Sequence, residues 1–204
     1  LFIQEFGIGD EQMVVYTDSV TGNSSIRVNF NITDNTNTTI NNMTYADAFL
    51  NGVSNDWSST TVACHTGQHA NGIVVNINNV TTANDYSRSY LGGPINMFVG
   101  DGRTGYTYSL ADFMSTSAHE FGHAGFHVYD IYHYTDPNTG STKRTDPNIS
   151  VPFKSIMNYQ FGLGGAQPVD YDIIFTNKTW TLNSWFYYSS DSNTLDKHIG
   201  AGNW

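Results

Sequence analysis

One short segment near the middle of the chain has the residue types and the spacing of a metal-dependent hydrolase. It reads His119-Glu120-Phe121-Gly122-His123, with two histidines four positions apart. On an α-helix, residues at i and i+4 lie on one face, so both imidazoles can bind one ion, and Zn²⁺ favours histidine nitrogen. Glu120 lies beside that face, where it can act as general base on an attacking water. The segment therefore predicts a zinc-dependent hydrolase.

A third ligand is needed, and three residues beyond the segment can supply it. Asp130 comes after Gly125, where we expect the helix to end with a left-handed residue before a five-residue loop returns the carboxylate to the metal. His127 can bind only if the chain folds straight back at Gly125, because on a continued helix it would lie about 12 Å along the axis from His119. His133 needs a longer loop. We favour Asp130, with His127 as the alternative.

The periodicity of apolar residues places this segment on the second of two helices. The first helix is expected to begin after Thr44, its N-cap, with Asp47 at the third position and a buried stripe at every fourth residue as far as Trp57. The second is expected to run from Phe113 to about Ala124, with Asp112 as its cap. Each helix thus carries its own start signal.

Alternation of apolar and polar residues predicts strands before, between and after the helices. The expected strands are Met13–Tyr16, Ser25–Ile32, Gly72–Asn78, Ile95–Val99, Thr179–Leu182 and Ser184–Tyr188. Loops are expected at 33–42 and 135–150, where Asn, Thr, Pro, Gly and Asp predominate. This order of elements is typical of an α+β fold, and no repeat or linker divides the chain.

A second segment strengthens the zinc interpretation. Ser155-Ile156-Met157-Asn158-Tyr159 follows the histidines, and together the two segments resemble the metzincin clan of zinc endopeptidases, in which an S-x-M-x-Y Met-turn passes beneath the metal. Asp130-Ile131-Tyr132 comes one residue later than in the common metzincin pattern. That spacing is similar to igalysin-type metallopeptidases, and near to the snapalysin and immune inhibitor A types. No glutamate follows Glu120, which excludes a thermolysin-like ligand set.

The resemblance implies a particular fold and site. The fold would be a single two-lobed catalytic domain over residues 1–204, with a twisted mixed sheet and the active-site helix in an upper lobe of about 1–125, above a less regular lower lobe of about 126–204. The implied zinc ligands are His119, His123 and Asp130. Met157 would pack below the metal, and Tyr159 would bind the resting zinc or hydrogen-bond the oxyanion. Ile95–Val99 falls where the clan has the edge strand that binds substrate in an extended form.

Composition limits the partners. The 204 residues carry a net charge of −10 without any large cluster of Lys and Arg, which argues against nucleic acid. No apolar run approaches the roughly 18 residues of a membrane span. Cys64 is the single cysteine, so no intrachain disulfide can form, and we interpret it as a free thiol rather than a cysteine switch. Low charge and seven N-x-S/T sequons favour a secreted or cell-surface protein, prokaryotic and monomeric.

The residues thus predict an endopeptidase that hydrolyses protein or peptide substrates with metal-activated water and Glu120 as base. Two alternatives remain. The first is a zinc-stabilised surface binding or adhesion module, although a structural site has no use for Glu120. The second is a zinc amidase or deacetylase that uses the same chemistry. Asp136 and Asp146 also allow a calcium loop, although no EF-hand spacing is present.

Overall fold

The computed structural model describes residues 2–6, 13–17, 24–57, 60–64, 72–89, 93–126, 133–135, 142–144 and 156–157. The chain divides into two compact units, Leu1–His127 and Val128–Trp204. In chain order, the elements of the first unit are β1 Phe2–Phe6, β2 Met13–Thr17, β3 Ser24–Asp34, β4 Thr39–Ile40, β5 Met43–Thr44, α1 Tyr45–Asp56, β6 Thr60–Cys64, β7 Ile73–Asn78, β8 Arg88–Ser89, β9 Ile95–Phe98, β10 Gly100–Asp101, β11 Tyr106–Thr107 and α2 Leu110–Phe126. The second unit contains β12 His133–Thr135 and β13 Thr142–Arg144.

A mixed sheet forms the framework of the first unit. Its order is β1-β2-β3-β7-β9-β8, and β6 also pairs with β3. The β3–β7 and β7–β9 pairs are parallel, whereas β8 runs antiparallel to β9. The α+β prediction is confirmed, as are the four strands predicted in this unit, which correspond to β2, β3, β7 and β9.

The strand at this edge of the described sheet is not the one that the sequence predicts. Ile95–Val99 was assigned to the edge of the sheet, but β9 pairs with β7 on one side and with β8 on the other. Among the described strands it is β8 that ends this side of the sheet. A strand of two residues is too short to leave a periodic signal, which is why the pattern did not reveal it.

Helix α1 forms as its sequence predicts. The Asp47 amide donates to Thr44 Oγ1 at 3.0 Å, and Thr44 Oγ1 donates to Asp47 Oδ2 at 2.7 Å, so the predicted cap and its third-position acid bond each other. The buried stripe is also confirmed, because every one of its members is at most 7% exposed: Tyr45, Phe49, Val53 and Trp57. The Trp57 amide donates to Val53 at 3.0 Å and closes the helix.

Helix α2 begins earlier than predicted. Ser109, not Asp112, is its cap, and the Asp112 amide donates to Ser109 Oγ at 3.2 Å. Asp112 Oδ2 in turn accepts from the amide and the hydroxyl of Ser109, at 3.2 and 2.6 Å. The two residues therefore form a capping box, in which the acid is the third helical residue. The periodicity did not distinguish these two possible caps.

The C-terminal end of α2 lies further along the chain than predicted. The helix continues through Gly125 to Phe126, and Gly105 is the only described glycine with a positive φ. A Cβ on Gly125 would come within 2.8 Å of the Phe121 ring, so glycine at this position leaves room for the Phe121 side chain, which comes from the preceding turn of the helix. The prediction of a left-handed cap there was wrong. Counted in the same way, with Asp130 included, four residues, 127–130, follow the helix end instead of five.

The two helices pack closely on each other. A Cβ on Gly52 of α1 would come within 2.7 Å of the Met114 Cα of α2, closer still to the Met114 carbonyl oxygen, so only glycine allows this approach. Aromatic rings join the helices to the sheet, since the Phe30 ring of β3 lies 5.4 Å from Phe49 and 5.6 Å from Phe121. The sheet and α1 thereby fix the position of α2.

The described part of the second unit is small. β12 pairs antiparallel with β13, with His133 opposite Arg144. Ile156 and Met157 form a turn and are buried, Met157 completely. The predicted strands at 179–182 and 184–188 and the possible calcium loop lie outside the described residues. Neither described helix combines the length and the apolar character that crossing a bilayer would require.

Candidate metal centre

The two histidines of α2 bring their ring nitrogens together. His119 Nε2 lies 3.2 Å from His123 Nε2, and the rings stand at 88° to each other. In a tetrahedral site with Zn–N bonds of 2.0–2.1 Å, two ligand nitrogens would be separated by about 3.3–3.4 Å. The imidazole pair therefore fits two positions of one zinc ion. His119 is 9% exposed, whereas His123 is half-buried, so the pair lies at the boundary of the core.

Glu120 is a buried carboxylate beside this pair. The residue is 6% exposed. Ser89 Oγ on β8 lies 2.8 Å from Glu120 Oε2 and 2.9 Å from the backbone oxygen of Glu120. A buried carboxylate is costly unless it has hydrogen-bond donors, and Ser89 supplies one. The carboxylate is thus held against β8, which ends this side of the described sheet.

A tyrosine shares this environment. Burial raises the pKa of the Tyr108 phenol, and the charges of Asp101 and Glu120 raise it further, whereas Arg103 and a hydrogen bond with Thr116 lower it. Glu120 is therefore close enough for its charge to act on the phenol.

The backbone of α2 is held in place just before His119. The indole Nε1 of Trp57 donates to the carbonyl of Ala118 at 3.0 Å, in the core and across 61 positions of sequence. The Ser117 hydroxyl donates to the carbonyl of Phe113 at 2.7 Å. The Trp57 ring also packs on Phe126, with ring centres 4.6 Å apart. The turn that carries the histidines is therefore anchored to the end of α1.

The structure assembles part of the predicted site. His119, Glu120 and His123 lie together on one helix, as the sequence predicts. Met157 belongs to the second unit, as does His133 at the start of β12. Asp130, His127 and Tyr159 lie outside the described residues, which contain no group of three His, Cys, Asp or Glu side chains able to hold a metal. Because α2 continues through Gly125, the break at this residue that we expected for both Asp130 and His127 is not present there.

Sequence reasoning missed two features of this site: the contact of Ser89 with Glu120 and the hydrogen bond of Trp57 to Ala118. Ser89 lies 31 positions from its partner, and its neighbours Ser87 and Arg88 form no motif. Trp57 was recognised only as the last member of an apolar stripe. Contacts of this kind depend on the tertiary fold, and no local signal predicts them.

Comparison with known proteins adds no family assignment. No protein-family model matches the chain, and no curated protein matches it. The functional assignment therefore depends on the residues and their geometry.

Proposed function

We propose that this chain is a zinc-dependent endopeptidase of metzincin type. The observation that supports this most directly is the 3.2 Å separation of His119 Nε2 and His123 Nε2 on one helix, in which the residue after His119 is the buried Glu120. Two imidazoles suit a zinc ion, and a neighbouring carboxylate that is not needed as a ligand suits a general base.

The proposed ligands are the Nε2 atoms of His119 and His123 and a carboxylate oxygen of Asp130, with His127 as the alternative to Asp130. When bound, Zn²⁺ supplies a Lewis acid that polarises a carbonyl and lowers the pKa of water. Met157 would pack under the ion, and Tyr159 would donate a hydrogen bond to the oxygen that becomes negative during the reaction.

Glu120 carries the proton transfers in this proposal. Its carboxylate takes a proton from the attacking water and returns it to the leaving amine as the peptide bond breaks. Burial suits this role, because a water-excluded carboxylate keeps a fixed orientation and exchanges protons with the substrate rather than with bulk solvent. A purely structural zinc site would have no use for such a group.

The substrate would be a protein or peptide in an extended conformation. Because β8 ends the described sheet beside Glu120, we propose β8 rather than β9 as the strand along which it binds. The two-lobed metzincin architecture and the secreted or cell-surface, monomeric state belong to the same proposal.

Metal analysis and proteolysis test this function together. We expect the full chain to carry about one zinc per molecule, to hydrolyse casein or gelatin, to lose that activity with 1,10-phenanthroline and to regain it with zinc. His119→Ala and His123→Ala should lose the metal, whereas His198→Ala, a histidine without an assigned role, should retain it.

Three outcomes would contradict the proposal in different ways. A gently purified chain without stoichiometric transition metal would refute the zinc site itself. Bound zinc with hydrolysis of acetylated lysine but not of casein would indicate a deacetylase. Bound zinc with neither activity would indicate a binding module.

A further inference from the structure

We infer that Ser89 is a positioning residue for Glu120, an inference that rests on the proposed function. Its hydroxyl oxygen lies within hydrogen-bond distance of two atoms of the same residue, Glu120 Oε2 at 2.8 Å and the Glu120 backbone oxygen at 2.9 Å. Both atoms are acceptors when the carboxylate is ionised, so the single proton of the hydroxyl is donated to one of them or shared between the two. Ser89 thus contacts both the carboxylate and the backbone of Glu120.

This contact fixes the direction of the carboxylate. A glutamate side chain has three rotatable bonds and would otherwise populate several rotamers. Holding Oε2 at the Ser89 hydroxyl favours the rotamers that direct the carboxylate towards β8. A base must lie within about 2.6–3.2 Å of the proton-bearing atom, so the selection of one rotamer contributes to catalysis directly.

The two carboxylate oxygens thereby acquire different roles. Ser89 holds Oε2, which leaves Oε1 as the oxygen that accepts the proton of the attacking water and returns it to the leaving amine. The Ser89 hydroxyl keeps its own proton throughout, so it neither gains nor loses an atom in the reaction. The hydroxyl acts through Glu120, whereas the proposed contact of β8 with the substrate is made by the backbone.

Ser89 is itself held by the sheet. β8 pairs antiparallel with β9, and Ser89 stands opposite Ile95, which is completely buried. The base is therefore oriented by both α2 and the sheet. Any displacement of α2 relative to β8 would change the direction of the base.

Kinetics of three serine variants test the role. Ser89→Ala should lower kcat by about 10–100-fold with little change in KM, because a hydrogen bond to a charged group is lost. Ser89→Thr retains a hydroxyl and should restore most of the rate. Ser87→Ala is the matched control, since it removes a hydroxyl from the same segment without touching Glu120, and it should stay within about twofold of the wild type. Zinc content should be unchanged in all three variants.

A second readout does not depend on activity. The chain has only three glutamates, Glu5, Glu11 and Glu120, so uniform ¹³C labelling of glutamate gives three side-chain carboxyl resonances by NMR. Glu120→Gln assigns one of them. In the metal-free protein Ser89→Ala should shift the Glu120 resonance, whereas Ser87→Ala should not. Should Ser89→Ala fail to fold, Ser89→Cys, which gives only a weak donor, replaces it in both experiments.

The outcomes separate this inference from the proposed function. An active wild type with an unshifted Glu120 resonance in Ser89→Ala, or a rate for that variant within twofold of Ser87→Ala, would overturn the role of Ser89 and leave the peptidase proposal standing. A shifted resonance in a wild type without peptidase activity would overturn the proposed function and reduce the Ser89 contact to a structural one.

Discussion

Helices α1 and α2 are built alike and differ in what they bury. Each begins with a hydroxyl cap that bonds both the amide and the carboxylate of the acid at the third position, and they pack against each other at Gly52 and Met114. The buried residues of α1 are Tyr45, Ala48, Phe49, Gly52 and Val53, which fill the core. Those of α2 include four polar side chains: Thr116, Ser117, His119 and Glu120.

Packing explains the buried face of α1 but not that of α2. Burying a polar group costs free energy unless it is hydrogen-bonded, and a carboxylate costs more than a hydroxyl. Ser117 bonds the helix backbone and Glu120 bonds Ser89, so part of that cost is offset. A helix that buries such groups is less stable than an apolar one would be, and this kind of exchange of stability for function is common at active sites. Substitutions on the buried face of α1 should change stability, and those at the polar positions of α2 should change activity.

Of these substitutions, Glu120→Gln should have the largest effect on activity. It should reduce kcat/KM by roughly 10²–10⁴-fold, because the amide cannot accept the proton, while zinc content stays near one per chain. The free energy of unfolding should stay within about 1 kcal/mol of the wild type, since the amide keeps an acceptor for Ser89. Asp47→Asn makes the same charge change in α1 and should leave the activity within twofold. Loss of zinc from Glu120→Gln would show that Glu120 is a ligand.

The two helices are expected to differ in what their C-terminal ends supply, because only the chain after α2 is expected to provide a metal ligand. Trp57 closes α1 and serves the core, whereas the chain after α2 is expected to supply Asp130 to the metal. Asp130→Ala should lower zinc affinity by more than about 100-fold, beyond the effect of losing an outer-sphere partner, and His127→Ala by less. Competition with a chromophoric chelator measures both. The reverse ranking would assign the ligand to His127.

Gly52→Ala tests whether α1 positions α2 through close approach. Alanine favours a helix by up to about 1 kcal/mol over glycine, but the added Cβ meets the Met114 backbone, and overpacking costs about 1–3 kcal/mol. We expect a net loss of stability in urea denaturation. Asn55→Ala, on an exposed position of the same helix, should be neutral or stabilising. A stabilised Gly52→Ala would show that the contact yields easily.

Local signals predicted α1 well because its cap and its apolar stripe are both contained in the sequence of the helix. The same reasoning predicted the histidines and Glu120 of α2, since i and i+4 geometry is local too. It misplaced both ends of α2. By residue type, Asp112 could be either the cap or the third residue of the helix. Glycine often ends a helix, but Gly125 lies within α2 because a Cβ at this position would meet the ring of Phe121.

Contacts between distant segments could not be predicted in this way. β8 has two residues and no periodic signal, yet it ends the described side of the sheet and carries Ser89 to Glu120. Trp57 was predicted as a core residue, but its hydrogen bond to Ala118 depends on how the helices cross. The sequence therefore predicts which groups carry the proposed chemistry, and the tertiary fold determines what orients them.

The capping box of α2 gives the smallest expected effect. Hydrogen bonds from Ser109 and Tyr106 lower the pKa of the Asp112 carboxyl. A carboxyl with a lowered folded-state pKa contributes stability that is fully present above its unfolded value of roughly 3.9 and is lost as the pH falls through the folded value. Asp112→Asn should therefore lower the free energy of unfolding by about 0.5–1 kcal/mol at pH 7, a small value because solvent screens the charge. This gap in stability between the wild type and the variant should shrink below about pH 4.

Urea denaturation at several pH values measures this gap. Tyr106→Phe removes one donor of the box, Tyr106 Oη at 2.8 Å from Asp112 Oδ2, and should produce a smaller gap with the same pH dependence. A gap that stays constant between pH 7 and pH 3 would mean that the carboxylate charge contributes nothing to the cap. The start of α2 would then depend, like any neutral cap, on the hydroxyl of Ser109 alone.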